Sequence, residues 1–413
     1  MLNVRRDDVV FIGSGKCGNN IVDLIAEMEK YGVLAVNSAN GDLNNLLHIL
    51  PEDRLHYYRG TGAGSNREKG KEYAITDMPR VFDKLDTTFY KAKYVYIIAS
   101  TAGGTGSGSA IEMAREIALR YAINAERIAS NGVTELPVRM VKVVAITPSP
   151  TENLSPINYQ NNLDFLRELK ELDDQKIISG YTILCNSKMD RREINEQFVQ
   201  DIDEMLSLPT ATDGYGEALD GTDLDRMLSE GHGMFHMSEI VVGDKEKTLI
   251  KPCSYMTKFT KVKGCDHIAV AMSMDVVGLD STDDEKEKWV NIAKGHYGDS
   301  YITNKLGVRV DGRNMLYAFG LRFPEQVVEE AKEMLRESVA KREHELKKVQ
   351  NHTVNFDVEG ITVNTKEEDT LDSSRLSKLS KLNEVKKEKK EEKKMSPLEA
   401  RLAKIEALKK RNK

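Results

Sequence analysis

Short apolar runs rich in β-branched residues recur through the first half of the chain, at Val9–Ile12, Val33–Val36, Tyr94–Ala99, Val141–Ile146 and Tyr181–Leu184. Between them the apolar positions change period. Ile21, Leu24, Ile25 and Met28 fall at i, i+3, i+4 and i+7, and Ile111, Ala114, Ala118 and Tyr121 come close to it. That is the spacing of an amphipathic helix. Strands that are continuously apolar are buried on both faces, so this alternation predicts a parallel, doubly wound sheet. Ligands in such sheets sit beyond the C-terminal ends of the strands.

The second half changes character. Residues 191–208 read as one helix with Ile194, Phe198, Ile202, Met205 and Leu206 as its stripe and Pro209 as its stop. His267–Val277 and Asn314–Arg322 are strand-like, Asp283–Gly295 is helical, and a long charged helix runs from Glu325 to about Val349. The expected architecture is α/β: a parallel nucleotide-binding sheet with flanking helices over 1–190, a central helix over 191–210 and a smaller α+β second domain over 211–325. A C-terminal helix over 326–349 and a charged tail over 350–413 follow.

Charge sharpens this picture. The net charge is −6 over 413 residues, yet residues 384–413 hold twelve Lys and Arg against six Glu. An acidic body with a basic tail points to an anionic partner for the tail. Within it, SPLEARLAKIEALKKR opens with Ser396 as N-cap, Pro397 at the first helical position and Glu399 closing a capping box. Leu398, Leu402, Ile405 and Leu408 then share a face. A helix this short is marginal alone, so it is expected to order on a partner. The four cysteines (Cys17, Cys185, Cys253, Cys265) form no CxxC and read as reduced thiols. No apolar run reaches the roughly 18 residues of a transmembrane span, and the start lacks a signal-peptide core; a cytoplasmic location is expected.

The chemistry lies in three glycine-rich turns. GSGKCGNN places Gly13, Gly15 and Gly18 as GxGxxG between a strand and a helix. A dinucleotide fold would next supply an Asp or Glu at the end of the second strand, but that strand ends in Asn37, Ser38 and Ala39. Nor is this a P-loop, because Lys16 is followed by Cys17. Alone, the motif is compatible with a mere tight turn. The second turn, ASTAGGTGSGSA, has four glycines between Gly103 and Gly108 and again joins strand to helix. The third, GTGAGSN, covers Gly60–Asn66. Two such turns aim two helix N-termini at one sheet edge, and glycines let backbone amides wrap phosphate oxygens. Thr105 and Ser107 add hydroxyls.

An alanine followed by GGTGSG resembles the signature of the tubulin/FtsZ superfamily, and the remaining loops fall in that family's order over about residues 5–325. The resemblance implies a GTP/GDP site with Mg²⁺, drawn from Gly13, Gly15, Lys16, Cys17, Asn20 and Asn37. Gly62, Ala63, Gly64 and Ser65 would sense the γ-phosphate, and Gly103, Gly104, Thr105, Gly106 and Ser107 would cradle phosphates. Glu152 in TPSPTENLSP would meet the ribose; Asn186 in LCNSKMD and Asn195 in EINEQF would read guanine. EALDGTDLDRMLSEGHGMFHMS resembles the loop that completes the active site of the next subunit. Asp220 and Asp223 would be its catalytic acids, with Asp225 a rival.

There are departures from the family. Ala39 stands where bacterial cell-division members carry Asp, a role that would pass to Asn40 or Asp42. The arginine that follows the ribose loop in FtsZ has no match among Leu154, Ser155 and Ile157. The tail and the shortened segment before Asp220 look most like the TubZ type, which segregates plasmid or phage DNA. That resemblance implies a head-to-tail polymer of this chain and a DNA-binding adaptor on residues 384–413, with direct DNA contact as another use of the same charge. FtsZ-like division, a non-hydrolysing scaffold and a Rossmann oxidoreductase remain alternatives. His232 and His236 lack a third ligand and read as structural rather than metal-binding.

Overall fold

In the computed structural model, residues 6–351 are described, apart from residue 59 and the stretches 132–137, 187–189, 212–218, 244–247, 258–263, 279–281, 299 and 310–311. The expected tail helix at 396–411 therefore lies outside the described residues, as does the rest of the basic segment 384–413. The first half runs β1 (Val9–Ser14), α1 (Gly15–Glu27), β2 (Gly32–Asn37), α2 (Asn40–Asn44), β3 (Arg54–His56), α3 (Arg67–Thr87), β4 (Tyr94–Ser100), α4 (Thr105–Asn131), β5 (Met140–Thr147), α5 (Pro156–Asp174) and β6 (Gly180–Cys185). The second runs α6 (Arg191–Leu206), α7 (Leu208–Ala211), α8 (Gly221–Glu230), β7 (Met234–Val242), β8 (Thr248–Pro252), β9 (Cys265–Ser273), α9 (Met274–Val277), α10 (Asp283–Tyr297), β10 (Ser300–Arg309), β11 (Met315–Leu321) and α11 (Glu325–Asn351).

The strands join in the order β10-β9-β11-β7-β6-β5-β4-β1-β2-β3, with β8 on β7. From β3 to β6 every pairing is parallel. The chain order reverses between β1 and β4, and such a switch point opens a crevice at the strands' carboxyl ends. Beyond β6 the sheet is mixed: β7 meets β6 through the single pair Tyr181–Met234, and β11 runs antiparallel to both neighbours.

Strand residues alternate between two cores. Val10 and Ile12 of β1 pack with Ile111, Ala114 and Ile117 of α4 on one face, while Val9 and Phe11 pack with Ile21, Val22 and Ile25 of α1 on the other. The stripe on α6 is buried in the second core, as its period predicts. Polar ties hold the same helix: buried Asp201 accepts from Tyr255 and Arg313, and Glu204 takes Arg309 at 2.9 Å. One expected strand is shorter than its pattern. The apolar run to Val277 leaves the sheet at Ser273, whose N–H is taken by Asn314 Oδ1 at 2.7 Å, and continues as α9.

Candidate functional site

The turns β1–α1 and β4–α4 meet back to back at the switch point. Gly15 has φ +71°, and a Cβ there would lie 2.8 Å from the amide nitrogen of Gly106. A Cβ on Gly106 would lie 2.7 Å from Ser14 O. Side chains at either position would force the two helix starts apart. Ser14, the N-cap of α1, makes no capping bond; its Oγ instead pairs with Ser109 Oγ at 2.5 Å. The first-turn amides of α1 are thus left for a ligand, and the positive end of the helix dipole adds to them. Gly18 serves packing, since a Cβ would sit 2.0 Å from Ile98 O.

The third turn closes the ring. Gly62, Gly64 and Ser65 all have positive φ (91°, 55° and 59°), which turns the loop before Asn66 caps α3 by accepting from Lys69 N. Two asparagines of α5, Asn158 and Asn161, tie this loop to the β4–α4 turn, and a third, Asn162, holds Thr101 beside it. Asn161 Nδ2 donates to Ser65 O (2.9 Å) and Gly103 O (3.0 Å), Asn158 Nδ2 to Ala102 O (2.8 Å), and Thr101 Oγ1 donates to Asn162 Oδ1 (2.6 Å). Thr105 Oγ1 pairs with Ser38 Oγ at 2.5 Å.

These loops border a cavity of about 520 Å³. Of the residues expected to bind nucleotide, Gly15, Lys16, Cys17, Asn20, Asn37, Gly62–Ser65, Gly103–Gly106, Glu152, Asn186 and Asn195 line it. Gly13 and Ser107 do not: Gly13 lies against Asn19 of α1, and buried Ser107 bonds Gly103 O in the turn that leads into its helix. Asp42, Asn158 and Arg191 also line the cavity. Asn37 Nδ2 donates to Asp42 Oδ2 at 3.2 Å, and Lys16 Nζ lies 3.9 Å from Asp42 Oδ1. The lining joins two chemistries: glycine backbone, and the polar side chains of Asn20, Asn186, Asn195, Glu152 and Arg191, of which Asn186 and Arg191 both contact Glu152. A guanidinium does reach the site, but from α6 rather than from the loop after β5. Burial pushes the Cys17 thiol up to about 11, so it stays protonated beside the loop.

The acidic segment lies elsewhere. Asp220 caps α8 by accepting from Asp223 N at 2.8 Å, and Asp223 Oδ2 accepts from Asp220 N at 3.2 Å. Asp223 also faces Lys305 Nζ at 3.4 Å. Asp225 is committed differently: Lys93 Nζ donates to both its oxygens (2.6 and 2.8 Å) and Tyr94 Oη to Oδ1 (2.6 Å). Lys93 and Tyr94 stand at the start of β4, whose other end leads into the glycine turn. At ~3.3 Å per strand residue, α8 and the cavity are separated by roughly 20 Å of sheet. His236 is a core residue, with Nδ1 2.5 Å from Tyr297 Oη and burial holding its pKa down to about 3.

Residues 8–179 match the family model described as "Tubulin/FtsZ family, GTPase domain". The "Tubulin-like protein CetZ" of Pyrococcus furiosus is 26% identical over 235 residues, covering 53% of this chain and 57% of its own length. The chain spans about three fifths of the length of the first curated relatives it matches. The structure of Clostridium botulinum phage c-st TubZ superposes with a TM-score of 0.64 at 18% identity, covering 81% of this chain and 99% of that one. A GTPγS-form protofilament of Bacillus thuringiensis serovar israelensis TubZ gives 0.63 at 15% identity, over 83% and 93%. Residues 8–179 of this chain are thus similar to a Tubulin/FtsZ-family GTPase domain, and the chain shares its fold with the phage c-st TubZ structure.

Proposed function

We propose that this protein binds and hydrolyses GTP and assembles head to tail into filaments, each cavity being completed by the acids of the next copy. The observation that carries the proposal is the separation of Asp220 and Asp223 from the cavity across the length of β4. One chain cannot bring both to the same phosphate, whereas stacked copies present the α8 end of one to the cavity of the next. Such a contact joins unlike surfaces and, unless it closes, propagates as a filament. The GTPγS-form protofilament of the Bacillus thuringiensis TubZ is consistent with this arrangement.

In this account backbone amides of Gly15, Lys16 and Gly103–Gly106 hold the phosphates. Glu152 takes the ribose, and the carboxamides of Asn186 and Asn195 pair with the donor and acceptor edge of guanine. Among the described residues, Asp42 and Glu152 are the carboxylates lining the cavity, and there is no group of three His, Cys, Asp or Glu placed to hold a metal ion. That set fits Mg²⁺ carried on the phosphates with Asp42 as its protein carboxylate, rather than an all-protein cage. When bound, the ion would neutralise charge on the β- and γ-oxygens. Asp220 and Asp223 of the incoming copy position the attacking water, the main protein task in phosphoryl transfer. The basic segment 384–413 would recruit a DNA-bound adaptor; the support is its charge, and a truncation that forms filaments yet no longer shifts adaptor–DNA is the expected result.

Asp223→Ala tests the central step. It should sediment as polymer with GTP while turnover falls at least tenfold; unchanged turnover per unit of polymer would rule out the role.

A further inference from the structure

Glu152 sits on a loop with a cavity on each side. In front is the cavity assigned to nucleotide; behind is a second of about 560 Å³, walled by Pro150–Pro156 and by Met334, Ser338, Lys341 and Arg342 of α11. Three contacts tie the loop from behind: Ser338 Oγ donates to Leu154 O at 3.3 Å, Lys341 Nζ to Asn153 Oδ1 at 2.7 Å, and Tyr159 Oη to Glu152 O, which fixes the Glu152 backbone while its side chain reaches forward. In front, Arg191 Nη2 donates to Glu152 Oε1 at 2.8 Å, and Asn186 Nδ2 reaches the same oxygen at 3.3 Å. Both donors use Oε1, so the lone pairs of Oε2 are left to accept from a hydroxyl. Arg191 is fixed at its root, because it is the first residue of α6 and its N-cap Asp190 accepts from Arg192 N at 2.7 Å. Its side chain is 70% exposed while that of Glu152 is 17% exposed, so the pair opens from the arginine side.

We propose that Arg191 is the positioning residue for Glu152 and the latch of the cavity: it presents Oε2 to the sugar and must let go before a nucleoside diphosphate leaves. This rests on the nucleotide assignment above. It makes exchange, the step that renews the polymerising form, sensitive to one solvent-accessible ion pair. Such a pair is weakened by salt, so release should quicken with ionic strength through Arg191.

The test is release of tritiated GDP, labelled on the base, from the full chain, followed by rapid filtration after a chase with excess unlabelled GDP at low and high KCl. Arg191→Gln keeps a hydrogen-bonding amide and removes the charge. It should release roughly fivefold faster at low salt, lose most of the salt dependence of the wild type, and melt as the wild type does without nucleotide. Arg191→Lys should regain the salt dependence. Release by Arg191→Gln at the wild-type rate, or fast release that still accelerates with salt, would overturn the latch. A wild-type chain that takes up no tritiated GDP would instead overturn the nucleotide assignment, and the latch with it.

Discussion

Asp225 and Lys93, 132 positions apart, form a two-point contact in which Nζ lies 2.6 and 2.8 Å from the two carboxylate oxygens. It fastens α8 to the amino end of β4 and thereby fixes where Asp220 and Asp223 stand. Both partners are about one-third exposed, so the pair contributes only about 1 kcal/mol to stability. Asp225→Asn should leave the melting temperature within a few degrees and lower GTP turnover about tenfold by misplacing the α8 start. A drop in melting temperature with turnover intact would contradict this division of labour.

Gly106 tests the contact between the two helix starts. Alanine there places a methyl 2.7 Å from Ser14 O, a backbone atom that cannot swing aside. Overpacking of this kind costs about 1–3 kcal/mol. Gly106→Ala should lower stability in urea by that amount and weaken GTP binding at least tenfold by equilibrium fluorescence titration.

Asn161 is buried, and its amide nitrogen serves carbonyls of Ser65, Ala102 and Gly103. Asn161→Asp turns a donor into an acceptor facing three acceptors, and leaving such groups unpaired costs about 1–3 kcal/mol. The variant should fold with reduced stability and show a KM for GTP raised more than kcat is lowered. Asn161→Ala should be milder in both.

The glycine turns were legible because their signal is local: a strand period, a glycine run and a helix period follow within a few residues. The asparagines of α5 were not. Asn158, Asn161 and Asn162 share a helix face that looks wet in sequence, and only the fold presents the first two to carbonyls of two distant turns and Asn162 Oδ1 to the Thr101 hydroxyl. Strand β7 was missed because MFHMSEIVV is buried on both faces at its start, without clean alternation. β10 was missed because SYITNKLGVR is broken by polar residues. The sequence leaves Asp223 and Asp225 as rivals; in the fold Asp225 is tied to Lys93 and Tyr94 and Asp223 faces Lys305, contacts that no spacing encodes.

Lys142 carries a pH prediction. It is buried in β5, donates to Ser179 O at 3.2 Å, and burial lowers its pKa from 10.5 to about 7. The unfolded chain therefore binds more protons between pH 7 and 10.5, so stability rises with pH across that window. Below pH 7 the penalty for the buried charge is complete. Lys142→Met should raise the melting temperature most at pH 6–7, and the gain should shrink as pH approaches 10. A pH-independent gain would mean that packing, not charge, sets the difference.

The dependence of GTP turnover on protein concentration tests most directly whether one copy completes the site of another. With nucleotide kept saturating, turnover per chain should fall toward zero on dilution below the point where light scattering vanishes, while mant-GTP remains bound. Constant turnover per chain down to isolated protomers would mean that one molecule completes its own site, contrary to the proposal built on the separation of the glycine-lined cavity from α8 along β4.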